Sequence, residues 1–90
     1  MAYQLSVLRE WSRANIESVP AVCGAYRVSD SEKKMLYVGM AGAGRLRERL
    51  LEHLNAGDIR RASYFRYQQC ASEDEARRLE QEWSAEFKLT

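Results

Sequence analysis

The thirty residues from Gly24 to His53 constrain this chain more than any other part of it. Two runs, residues 21–29 and 35–40, carry apolar, β-branched and aromatic side chains that suit a pleated, half-buried surface, and only the polar stretch from Asp30 to Lys34 parts them. So short a connection predicts an antiparallel hairpin. Tyr26 and Tyr37 then lie on neighbouring strands, and the register decides which face each one occupies. Ala41-Gly42-Ala43-Gly44 leads on to the best-patterned helix of the chain, over 44–56. The link lacks the G-x-x-x-x-G-K spacing of a phosphate loop, so it reads as a turn that lets backbone approach something closely. At about 100° per residue, Leu46, Leu50, Leu51 and Leu54 form the apolar face of the helix. Arg49 and His53 stand four residues apart on the rim of that face, where a side chain can reach round to the sheet. Asn55-Ala56-Gly57-Asp58 closes the helix, glycine being a common stop.

The flanks are simpler. Leu5, Leu8 and Ile16 recur at helical spacing, which predicts a helix over 3–17, and Pro20 ends it. Residues 1–19 then form a helical lead-in to a domain over 20–90, the whole being one domain of α+β class. Residues 63–70 read as a third strand. Ser72 followed by Glu75 predicts a capped helix start, with acids at the positive end of the helix dipole. Ala76, Leu79, Trp83 and Phe87 form the buried stripe of that last helix, and Glu80 lies about 55° from its centre. A carboxylate at the margin of a core wants a partner, either an arginine or a cation, because isolation there costs several kcal/mol. Trp11, Trp83 and Cys70 read as packing residues.

Composition narrows the class. A chain of 90 residues has one thin core, burying roughly 60–65% of its unfolded surface. Apolar residues at 46% and charged residues at 30% describe a globular protein. No apolar run reaches the roughly 18 residues that a membrane helix needs, and no secretion signal opens the chain, so a cytoplasmic location is expected. Cys23 and Cys70 sit in apolar runs and read as reduced thiols; with one histidine and no C-x-x-C spacing, a zinc site has little support. The net charge of +1 argues against a strong non-specific field for nucleic acid. The charge is unevenly placed, however: residues 40–70 hold six arginines against three acids, and residues 71–90 hold three basic groups against six acids.

Two tyrosines on paired strands, an arginine and a histidine on a helix rim, and a marginal glutamate make a kit for phosphate chemistry. Arginine can hold phosphate oxygens by two parallel bonds and stabilise charge growing on them. A lone carboxylate can hold one magnesium ion that keeps most of its waters. A phenol can pass a proton once a nearby cation lowers its pKa. As isolated residues, all five also fit ordinary structural roles.

Their order adds specificity. Gly24-Ala25-Tyr26, then Tyr37-Val38-Gly39, then Arg49-x-x-x-His53, then Glu80 within Glu75-Ala76-Arg77-Arg78-Leu79-Glu80 resembles the GIY-YIG nuclease family over residues 20–83. The resemblance implies a three-stranded antiparallel sheet flanked by helices, here with an extra N-terminal helix. It implies hydrolysis of a nucleic-acid phosphodiester, DNA in the first instance, by in-line attack of water. Tyr26 and Tyr37 would be the active-site phenols, Arg49 the ligand of the scissile phosphate, and His53 a positioning or proton-transfer residue. Glu80 would hold one Mg2+ or Mn2+ ion. Gly39 would admit substrate close to the backbone, and Arg45 and Arg47 would add substrate contacts. Ala25 and Met40 depart from the family pattern, and an asparagine that some members carry after the metal ligand has no counterpart. Two other classes therefore stay open, a catalytically degenerate nucleic-acid-binding module and a protein-interaction subunit. A homodimer or an accessory protein would supply the targeting.

Overall fold

The computed structural model describes residues 5–89, the side chains of the last two excepted. Strand β1 (Arg9–Glu10) leads to helix α1 (Arg13–Glu17), the hairpin β2 (Gly24–Ser29) and β3 (Met35–Ala41), helix α2 (Leu46–Ala56), strand β4 (Tyr64–Gln69) and helix α3 (Glu73–Leu89). One antiparallel sheet holds all four strands in the order β1-β4-β2-β3.

The hairpin forms as its sequence predicts. Asp30 closes the turn, its Oδ1 accepting the backbone N–H of Glu32 and of Lys34 at 2.9 Å each. The register opposes Tyr26 to Gly39 and Val28 to Tyr37. Residues paired in this way share a face, so Tyr26, Val28, Tyr37 and Gly39 all look to one side. That side holds the main core, in which Ile16, Val19, Tyr26, Val28, Leu46, Leu50 and Phe65 are almost wholly buried. Helices α1 and α2 supply its cover. Gly57 ends α2 in the left-handed conformation (φ 62°), its N–H bonding the His53 carbonyl at 3.0 Å. The opposite face of β2 and β3 is covered by α3, where Trp83 packs under the Arg27 guanidinium, 4.9 Å from the ring centre. Ser72 Oγ accepts the Glu75 N–H at 3.2 Å, while the Glu75 carboxylate accepts from Ala71, one residue before the expected partner.

Helix α3 runs antiparallel to β3. Its first turn stands over Gly42, the Glu73 carboxylate lying 3.3 Å from where a Gly42 Cβ would be, and its last turns, at Glu86 and Phe87, border a cavity with Met35. Glu80, midway along, is therefore level with the middle of β3.

Two expectations need correction. The helix expected over 3–17 is not formed; its start, at Tyr3 and Gln4, lies outside the described residues. Instead the chain from Ser6 to Trp11 runs extended along β4, with Ser6 N–H on the Tyr67 carbonyl and Trp11 N–H on the Ser63 carbonyl, each at 2.9 Å. Helix begins only at Ser12, whose hydroxyl caps the Asn15 N–H. An open β4 edge offered backbone partners, and three apolar positions at helical spacing were too weak a preference to compete with it. The sheet accordingly has four strands and not three. Trp11 does pack, meeting Phe65 edge to face at 5.7 Å.

Candidate functional site

The site starts from a close approach. Tyr26 projects from the central strand β2 across the edge strand β3 at Gly39, and a Cβ on Gly39 would stand 2.6 Å from the phenol Cζ and Oη. Only glycine leaves room for that ring. The room beside Gly39 thus admits a side chain of the protein itself, where substrate was expected. Gly24 is equally constrained, since a Cβ there would meet the Gln68 carbonyl oxygen at 2.3 Å.

Beyond Gly39 the phenol reaches α2. Tyr26 Oη lies 2.9 Å from His53 Nε2. His53 Nδ1 lies 3.0 and 3.1 Å from the two carboxylate oxygens of Asp58. A carboxylate only accepts, so Nδ1 carries a proton, and in the neutral imidazole Nε2 then accepts from the phenol. Asp58 was noted in the sequence only as part of a helix stop. Its spacing of five from His53 across a glycine-capped end is the signal that could have found it, because the left-handed turn at Gly57 folds the next residue back. Tyr37 completes the cluster, stacked on Tyr26 at 6.1 Å and edge-on to His53 at 4.8 Å. The two phenols are not equivalent: Tyr26 is 0% exposed, whereas Tyr37 is half-buried at the surface of the cluster.

Burial pushes the Tyr26 phenol well above its ordinary pKa, Tyr37 adds to the rise, and the neighbouring Arg49 guanidinium opposes it. Tyr26 is a protonated donor at neutral pH. In the unfolded chain it ionises near 10.0. Above that pH the folded state holds more protons than the unfolded one, and stability falls as pH rises. The denaturation midpoint is expected to drop between about pH 10 and pH 12, and to drop less in Tyr26→Phe. Equal slopes in the two proteins would show that the buried phenol is not the group responsible.

Arg49 stands one turn before His53, and the Tyr26 phenol heads the influences that raise its pKa. It also bonds Glu52 at 3.0 Å with 39% of its side chain exposed, so a phosphate would compete with an exposed carboxylate for it. Arg45 is exposed and pairs with Glu48 and Glu52. Arg47 does not point to the site: its Nε donates to the Val19 carbonyl at 2.7 Å, which gives it a structural role between α2 and the segment before β2.

Four of the expected residues, Tyr26, Tyr37, Arg49 and His53, thus come together. Glu80 is not joined to them by any hydrogen bond or ion pair among the described residues. Its carboxylate accepts from Ser84 Oγ at 3.2 Å, half-buried, and has no cationic partner there. Glu80 and Glu86 flank the Ala76–Trp83 stripe on opposite sides, at about 100° per residue. Glu86 is the acid that acts on Arg27 of the inner strand β2. One carboxylate with a free oxygen suits an ion that keeps its waters. Among the described residues no group of three or more His, Cys, Asp or Glu could hold a metal ion by itself. The thiols of Cys23 and Cys70 are free and raised in pKa, chiefly by burial, and so are poor nucleophiles.

This arrangement defines a small α+β domain, a four-stranded antiparallel sheet clad by helices on both faces with a polar cluster at one edge. Residues 6–86 match the family described as a domain of unknown function, DUF7508, and the chain belongs to that family. No curated protein and no solved structure matches it. Among the described residues no helix is long and apolar enough to cross a membrane.

Proposed function

We propose that the chain is an endonuclease of the GIY-YIG type, a metal-dependent hydrolase of nucleic-acid phosphodiesters, DNA in the first instance. The observation that supports this best is the convergence of Tyr26, Tyr37, His53 and Arg49 from two strands and a helix onto one edge, in the order the resemblance implies. Arg49 holds the scissile phosphate and meets the charge that grows on its oxygens. Tyr37, the half-exposed phenol, is the one that water can reach; once its own proton has passed to solvent, the phenolate takes the proton of the attacking water. Tyr26 is shut away and acts as a positioning residue. It locks His53, which Asp58 orients in turn, and so sets the ring against which Tyr37 packs. Glu80 is the residue to hold a single Mg2+ or Mn2+ ion, which supplies Lewis-acid stabilisation of the phosphate when bound.

The test is cleavage of supercoiled and branched DNA with magnesium or manganese. Wild type is expected to cut, and Arg49→Ala, shown folded by circular dichroism, to lose about 10²–10³-fold in rate. Glu80→Ala should lose activity as well. Variants that cut as fast as wild type would remove these assignments.

The separation of Glu80 from the cluster favours a second reading, a degenerate module that binds nucleic acid without cutting it. Binding that weakens steeply with salt, with no cleavage under either metal, would select that reading.

A further inference from the structure

The sheet face covered by α3 carries a second cluster, independent of the first. Arg27 of β2 and Arg66 of β4 are directly opposed in the register. Like charges so placed repel, and Arg66 adds to the burial that lowers the Arg27 pKa. Neither forms an ion pair within 4 Å among the described residues, and the Nε of Arg66 is shut off from solvent without a hydrogen-bond partner. Both line a cavity of about 300 Å³, together with Lys33, Ser29 and the apolar side chains of Leu8 and Met35. Lys33 is held at the rim by its left-handed backbone (φ 68°) in the hairpin turn.

A concave site of this size is at the lower end of pockets for small molecules. Half-buried guanidiniums on register-paired residues, with no acid within 4 Å among the described residues, are a cost that an anion between them would reverse. Glu86, the acid felt by Arg27, offsets one of the three cations, which leaves the charge of a phosphate monoester at neutral pH. The walls of Leu8 and Met35 suit an apolar body attached to it. We propose that this cavity binds a small organic phosphate monoester, with Arg27 and Arg66 on the phosphate oxygens and Lys33 closing the rim.

Phenyl phosphate is the probe, added without metal to the full chain and followed by amide NMR shifts. Saturable shifts are expected at Arg27, Ser29, Met35 and Arg66 at millimolar concentration or below. Inorganic phosphate should bind more weakly, and phenol should not move these amides. Arg27→Gln and Arg66→Gln should each weaken binding about 10-fold or more. Arg49→Gln, on the other face, should leave it unchanged, so that failure here and failure of the nuclease reading are separable. Arg66→Gln should also unfold no earlier than wild type when no anion is present, since it relieves repulsion. Shifts that persist unaltered in Arg66→Gln, or that gather around Arg49 instead, would overturn the proposal. Displacement of the probe at these amides by a single-stranded oligonucleotide would overturn the small-molecule assignment in favour of a polymer backbone.

Discussion

Gly39→Ala is expected to destabilise the domain by about 3 kcal/mol and to dismantle the polar cluster. The added methyl meets Tyr26 Cζ and Oη at 2.6 Å. The ring cannot yield cheaply, because it is wholly buried among α2 and sheet residues. Overpacking of this kind costs about 1–3 kcal/mol. Turning the phenol aside also leaves His53 Nε2 buried without its 2.9 Å partner, at about 1–3 kcal/mol more. In a domain of this size each kcal/mol moves the melting point by about 4–8 °C, so the effect is plain in a thermal scan. The specific cause is checked in a double-mutant cycle. In a Tyr26→Val background the same glycine substitution should cost at least 1 to 2 kcal/mol less, since the clashing ring is gone (about the size of coupling seen between touching residues). An unchanged cost would locate the penalty in β3 itself.

The other large effect belongs to α3. Trp83→Ala removes the aromatic anchor of that helix, 7% exposed and stacked under Arg27. Truncating a buried tryptophan costs about 3–5 kcal/mol, against roughly 5–13 kcal/mol for an entire ninety-residue domain. The remaining buried stripe is thin. Ala76 is small, and Leu79 is half-buried. Helix α3 is therefore expected to lose its hold on β2 and β3, with a drop in helical circular dichroism at temperatures where wild type is folded. Trp11, packed on Phe65 on the other face, remains as the sole tryptophan and reports the sheet separately by fluorescence. Trp83→Phe, which keeps an aromatic face for the guanidinium, should retain most of the stability. A Trp83→Ala protein that melts within a few degrees of wild type would show that α3 is held by something other than this contact.

Much of the hairpin and of α2 was legible because local chemistry and tertiary packing agree there. Asp30 makes the turn it predicts, the leucine stripe of α2 faces the core, and Gly57 stops the helix. The N-terminal segment was not legible. Its backbone is satisfied by β4, some sixty residues away along the chain, and periodicity read in a window cannot see such a partner. Arg47 was expected as a substrate contact from the resemblance, while the Val19 carbonyl that engages it is also distant in sequence.

By itself, the amino-acid order determined which residue types could do chemistry and on which elements they ride, since periodicity and turn residues act over a few neighbours. Only the tertiary structure decided that both phenols share a face and that one of them is sealed off. It also decided that Asp58 orients the histidine and that Glu80 belongs to the helix on the far side of β3. Those outcomes depend on strand register and on which face each helix covers. Register moves every side chain together when it slips by one residue, so it is set by the packing of the whole sheet and not by any segment alone.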